Sequence, residues 1–186
     1  MSTKRVLTLW NDEGENKADI SVLRKKSVEL PAPLDKASRE IIQTLIDAFM
    51  ERDDAVGLAA PQIGINKRLI VFRAKGSEEG QNKIKDIQDI EVLVNPRITQ
   101  MHGEKVPGVE GCLSCPDVQV EISRFPEIKV RALDAKGEKI NKRYLDYIAR
   151  VIQHEIDHLD GRLIVDYGDI YYPESKQLFF EKLFKD

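Results

Sequence analysis

The chain has 186 residues, of which 41% are hydrophobic and 33% charged, with a formal net charge of −3 at pH 7. A chain of this length buries roughly two-thirds of its unfolded surface, enough for one ordinary globular domain, and its weak negative charge excludes a dedicated nucleic-acid binder, leaving room only for local, transient contact with an assembly such as the ribosome. No apolar run is long enough to span a membrane, and the opening "MSTKRVLTLWNDEGENKADISVLRKK" lacks the apolar core of a signal peptide, so a cytoplasmic location is expected.

Residues 35–52, "DKASREIIQTLIDAFMER", predict an amphipathic helix: Ile41, Ile42, Leu45, Ile46 and Phe49 form one apolar stripe, and Asp35 or Ser38 is placed to cap it. "VGLAAPQIGINKRLIVF" follows, with small residues and a proline ahead of a strand at "RLIVF". Residues 76–90 are polar and read as a surface loop, and "EVLVNPRIT" reads as a second strand ending near Pro96. The two cysteines, Cys112 and Cys115, stand in a C-x-x-C arrangement that is no disulfide framework and suits a reducing compartment. "VQVEIS" and "EIKVRALD" alternate as strands, and "DAKGEK" turns into a short further strand.

From about Tyr144 the period changes to that of a helix, carried by Leu145, Ile148, Val151, Ile152, Ile156 and Leu159, with Gly161 as terminator. The tail at about 174–186 is amphipathic and carries three of the six phenylalanines, which are expected to dock on the protein's own core. Strands followed by one central helix define an α+β class, antiparallel or mixed strands packed around that helix in a single domain spanning 1–186.

The helix carries "QHEIDH". His154 and His158 lie four positions apart on one helical face, so both imidazoles reach one metal ion, and Glu155 beside the first is placed to act as a general base. What completes the site decides its chemistry. A metzincin would need a third ligand where Ile164 stands, whereas a later glutamate, Glu174 or Glu181, is not excluded by spacing. His102 has no motif around it and reads as a solvated loop residue. The cysteines remain, since thiolate is a strong ligand for iron or zinc and a Cys-His-His set leaves a fourth position open.

"VGLAAPQIG" at 56–64, "EGCLS" at 110–114 and "QHEIDHLDG" at 153–161, in that order, resemble the three signature segments of peptide deformylase. The resemblance extends over roughly residues 20–168. It implies removal of the formyl group from N-formylmethionyl nascent peptides, with release of formate. It implies Cys112, His154 and His158 as ligands of one divalent metal ion, Fe(II) by preference, with Zn(II), Ni(II) or Co(II) as substitutes. In that reading the ion lowers the pKa of a bound water toward ~7, and Glu155 takes its proton and delivers it to the departing amine. The Gln62 side-chain amide and the Leu113 backbone N–H are the implied donors to the oxyanion. Gly57 would run alongside the substrate backbone, and Val56, Tyr147 and Val151 are expected to line the methionine pocket.

Two departures accompany the resemblance. Ala55 stands where the family's first segment usually begins with glycine, and Cys115 stands where an aliphatic residue is common. Glu110 is expected either to pair with a basic residue such as Arg124 or to lie at the surface. Two other functions compete: a related amidase acting on a different N-acyl substrate, and a structural zinc domain using Cys112, Cys115, His154 and His158. The long separation between the cysteine and histidine pairs and the presence of Glu155 weigh against the second.

Overall fold

The computed structural model describes residues 4–74 and 89–184, so the polar loop expected at 76–90 lies, except for its last two residues, outside the described residues. The chain opens with a hairpin of β1 (Trp10–Asn11) and β2 (Gly14–Glu15), then α1 (Lys17–Leu23) and α2 (Lys36–Met50). Both capping candidates of α2 take part: Asp35 Oδ1 accepts from the Ser38 amide at 2.7 Å and from its hydroxyl at 2.6 Å. Seven strands follow, β3 (Gly57–Ala59), β4 (Leu69–Arg73), β5 (Ile90–His102), β6 (Val109–Cys112), β7 (Cys115–Glu121), β8 (Glu127–Leu133) and β9 (Lys139–Leu145). The chain continues through α3 (Asp146–Leu159) and β10 (Ile170–Tyr171) to α4 (Gln177–Leu183).

A five-stranded antiparallel sheet runs in the order β3-β4-β5-β8-β9, and a three-stranded one in the order β10-β7-β6. β4 explains the layering. Its Leu69 and Val71 join Ile42, Leu45 and Phe49 of α2 in one core, while Ile70 and Phe72 join Val151, Ile152 and Ile156 of α3 in another. Alternate side chains leave opposite faces of a strand, so the large sheet lies between α2 and α3, and "LIVF" is apolar throughout because neither face meets water. A third core joins Val118 and Val120 of the small sheet to Trp10, Leu23, Leu163 and Phe180.

Three boundaries differ from the sequence expectations. β5 does not end near Pro96 but continues to His102, because the register against β8 shifts between Val94 and Arg97 and lifts the proline out of the ladder. Asn95, at φ 53°, makes that kink possible, and its side chain exchanges hydrogen bonds of 2.8 and 2.9 Å with the backbone of Leu30. His102 therefore sits at a strand end, exposed as expected, rather than in a loop. The helix does not begin at Tyr144: Tyr144 and Leu145 pair with Ile128 and Glu127 in β9, and α3 starts at Asp146. Gly161 does close α3, at φ 74°, and a Cβ there would lie 2.8 Å from the Arg24 carbonyl carbon. In the tail, Phe180 is fully buried with its ring centroid 5.7 Å from that of Trp10, while Leu178 remains exposed.

Candidate metal centre

α3 packs on the large sheet and turns its histidines toward β6, and this brings the motif segments together. One face of the helix presents His154 and His158 to Cys112, the last residue of β6. The donor atoms of Cys112, His154 and His158 lie within 4.8 Å of one another, and Cys112 Sγ is 3.3 Å from His158 Nε2. Glu174, Glu181 and Cys115 are not part of this cluster. The cluster lies beside a groove of about 890 Å³ whose lining includes Val56, Gly57, Gln62, Leu113, Tyr147, Val151 and Glu155. Of the ten residues that the resemblance assigns to the site, all but the buried His158 line this groove.

The donor set fits a divalent cation. Cys112 is held well below its ordinary range, first by a hydrogen bond from Cys115 and then, against its burial, by the two histidines. His154 is pushed well up by Cys112 and Glu110 in spite of burial. The lowered thiol suits metal binding, since cysteine ligates as the thiolate and histidine as the neutral imidazole. Glu110 Oε2 lies 3.0 Å from His154 Nδ1, which leaves Nε2 to face the cluster. The buried Nδ1 of His158 has no protein partner among the described residues.

Glu155 is 3% exposed, and its Oε2 likewise has no partner among the described residues. Burial pushes its carboxyl up to about 6, against the pull of the histidines. Gly57 explains how the carboxylate fits, since a Cβ at that position would lie 2.8 Å from Glu155 Cδ. The expected close approach at Gly57 is therefore already made within the protein, by the side chain of Glu155. Gln62, in a 3-10 turn spanning Ala60–Ile63, has its orientation fixed because Oε1 accepts from the Ala59 amide at 2.9 Å. Its NH₂ consequently points at Ser114 Oγ, 3.2 Å away, and at Cys112 Sγ, 3.8 Å away. Ala55 is buried, and its carbonyl accepts from Arg73 Nε at 2.9 Å.

Behind the cluster lies a buried ionic network that the sequence showed only in part. The pairing of Glu110 with Arg124 is present and bidentate, both contacts at 2.9 Å. Arg124 also reaches Asp157 at 2.6 Å, Arg150 reaches Glu110 at 2.8 Å, and the Tyr167 hydroxyl donates to Asp157 at 2.7 Å. Burial works to raise the Glu110 carboxyl, but the bonds from His154 and Arg124 hold it down at about 2. Asp157 and Arg150 have the composition of ordinary solvated helix charges. Their one signal was position: Asp157 follows His154 by three residues, on the helix that carries the motif. The groove wall at Tyr171, Tyr172 and Pro173 carried no signal at all.

An α+β fold that sets a Cys-His-His cluster and a buried carboxylate beside an open groove defines a metal-dependent hydrolase. Residues 15–171 match the polypeptide deformylase family. The chain is 38% identical over 161 residues to the peptide deformylase of Pseudothermotoga lettingae, covering 87% of this chain and 83% of that one. It is 42% identical over 147 residues to peptide deformylase 1 of Clostridium acetobutylicum, covering 78% and 87%. The crystal structure of a peptide deformylase from Synechococcus elongatus in complex with actinonin superposes with a TM-score of 0.71 at 30% identity, covering 97% of this chain and 85% of that one. This chain belongs to the polypeptide deformylase family.

Proposed function

We propose that Cys112, His154 and His158 hold one divalent ion, Fe(II) in the cell, and that the groove beside them takes the formyl-methionine start of newly made polypeptides, from which the formyl group is released as formate. The observation that carries this reading is the convergence of the three donor atoms within 4.8 Å beside a groove that Glu155 also lines. Cys-His-His accepts Zn(II), Ni(II) or Co(II) as well, and availability sets the occupant. When bound, the ion supplies Lewis acidity, which brings the pKa of water toward ~7 and polarises the formyl carbonyl.

The protein's own groups do the rest. Glu155, buried and with no partner for its Oε2 among the described residues, accepts the proton of the attacking water and passes it to the departing amine. The Gln62 NH₂, fixed by its bond from Ala59, and the Leu113 backbone N–H are the donors for the oxygen that gains charge. Gly57 and its neighbours in β3 run beside the substrate backbone. Val56, Tyr147 and Val151 line the methionine pocket, where burial of that side chain contributes roughly 1.5–3 kcal/mol. One catalytic unit carries all of these parts. We place it in the cytoplasm with at most transient contact with the ribosome. The weak net charge is in keeping with that, and among the described residues no helix is long and apolar enough to cross a membrane.

The test is formate release from a formyl-Met tripeptide by protein purified without oxygen and loaded with Fe(II). Release from the formylated but not the acetylated peptide, abolished in Glu155→Ala, is the expected result. A filled site that releases no formate would overturn the reading.

A further inference from the structure

The turn Leu113–Ser114 joins β6 to β7 and sets Cys112 directly opposite Cys115 in the ladder. Directly opposed residues in an antiparallel pair have Cα atoms about 4.5–5.5 Å apart, and their side chains leave the same face. That separation lies inside the range of about 4.4–6.8 Å that a disulfide requires. Both cysteines line the groove, and they differ in exposure: Cys112 is half-buried, whereas Cys115 is 1% exposed. The hydrolytic reaction gives Cys115 nothing to do, and it stands outside the metal-ligand cluster.

We propose that Cys112 and Cys115 form a peroxide-responsive oxidation site, in which a small hydroperoxide entering the groove converts the metal ligand into a reversible disulfide and so releases the ion. The Cys112 thiolate attacks one peroxide oxygen, the O–O bond breaks, and hydroxide leaves, so that Cys112 becomes a sulfenic acid. The Cys115 sulfur then attacks the Cys112 sulfur. The S–S bond forms as the S–O bond breaks, and the oxygen departs as water with the Cys115 proton. Two electrons pass from the thiols to one hydroperoxide. With its sulfur in the disulfide, Cys112 no longer supplies a thiolate, and two imidazoles hold the ion far more weakly. An aliphatic residue at 115 would leave the sulfenic acid without an internal partner and open to irreversible further oxidation. The consequence for activity rests on the metal reading above, but the chemistry at sulfur does not depend on which amide the groove cleaves.

The experiment uses the full chain loaded with Zn(II), which is itself redox-inert, exposed to hydrogen peroxide and followed by intact mass, thiol alkylation and a colorimetric zinc indicator. The expected result is a loss of about 2 Da with no alkylable thiol, release of zinc in step, and full recovery with dithiothreitol and zinc. Cys115→Ala and Cys115→Val should bind zinc normally and instead gain about 32–48 Da at Cys112 without recovery. Wild-type protein that keeps two free thiols, or that accumulates the same irreversible mass as the variants, would overturn the proposal. Formate release is read separately, so a protein that forms the disulfide but never deformylates would sink the functional reading and leave this one standing.

Discussion

Arg124 and Glu155 are both buried charged side chains beside α3, and the protein treats them in opposite ways. The Arg124 guanidinium is well paired: Glu110 takes two of its bonds, Asp157 a third, and the Tyr167 ring lies 5.1 Å from it. Glu155, a few residues along the same helix from Asp157's network, has one carboxylate oxygen with no partner among the described residues. Buried polar groups are ordinarily paired because an unpaired one costs about 1–3 kcal/mol. The saturated side fixes the geometry, holding His154 by its Nδ1 and β6 against α3. On the proposed reading, the unpaired Glu155 oxygen is the one that takes up a proton. In this pair, the satisfied group braces the site and the unsatisfied one is the group proposed to act in it.

The contrast can be broken from either side. Glu155→Gln should reduce turnover of the formyl peptide by a factor of about 10²–10⁴ while leaving thermal stability unchanged or slightly raised, since it removes an unpaired buried charge. Parallel kinetics and calorimetry on one preparation check both halves, and an equal fall in stability would erase the distinction. Arg124→Met should do the reverse, removing about 3–5 kcal/mol of stability because Glu110 and Asp157 lose their shared cation. The transition temperature should then fall by about 2–4 °C for each kcal/mol. Tyr167→Phe deletes a single bond of that network and should cost about 0.5–1.5 kcal/mol in urea unfolding, with turnover nearly intact.

The smallest effect tests whether saturation elsewhere behaves alike. Asp19, buried, accepts from Arg5 at 2.7 and 2.6 Å, from the Thr8 amide at 3.0 Å and from Asn16 at 2.9 Å. The Arg5 bonds chiefly hold its carboxyl below the usual carboxylate range, against the effect of burial. A depressed folded pKa gives stability that is fully present above the unfolded value of ~3.9 and is lost as pH falls through the folded one. The stability difference between wild type and Arg5→Ala should therefore be constant from neutral pH down to about 4 and shrink below it. Urea titrations at a series of pH values measure that difference.

The parts legible in the sequence are those whose cause is local. The α2 stripe, the capping by Asp35, the stop at Gly161 and the facing pair His154 and His158 each follow from spacing along one element. Cys112 could be tied to those histidines because its segment resembles a family pattern; its place in the strand alone does not reveal the contact. What stayed hidden is set by contacts between distant elements. Pro96 argued for the end of a strand, and only the side chain of Asn95 reaching the Leu30 backbone shows why β5 can pass it. Asp157 and Arg150 have the composition of a solvated face, and nothing in the helical period tells that their partners come from β6, from Arg124 and from Tyr167. The helical period points to a start near Tyr144, but the pairing of Tyr144 and Leu145 with β8 prevails over it and α3 starts at Asp146.

The wall of the groove formed by Tyr171, Tyr172 and Pro173 has a consequence for timing. These residues follow in the chain every other side chain the site uses, and β10, which holds them in place, pairs with Val120 and Gln119 across a wide sequence separation. Phe180, the ring that closes over Trp10, comes later still. Contacts between such distant segments form late, and during synthesis they wait until the later segment has left the ribosomal tunnel. A growing copy therefore has no finished groove while its own beginning is already exposed.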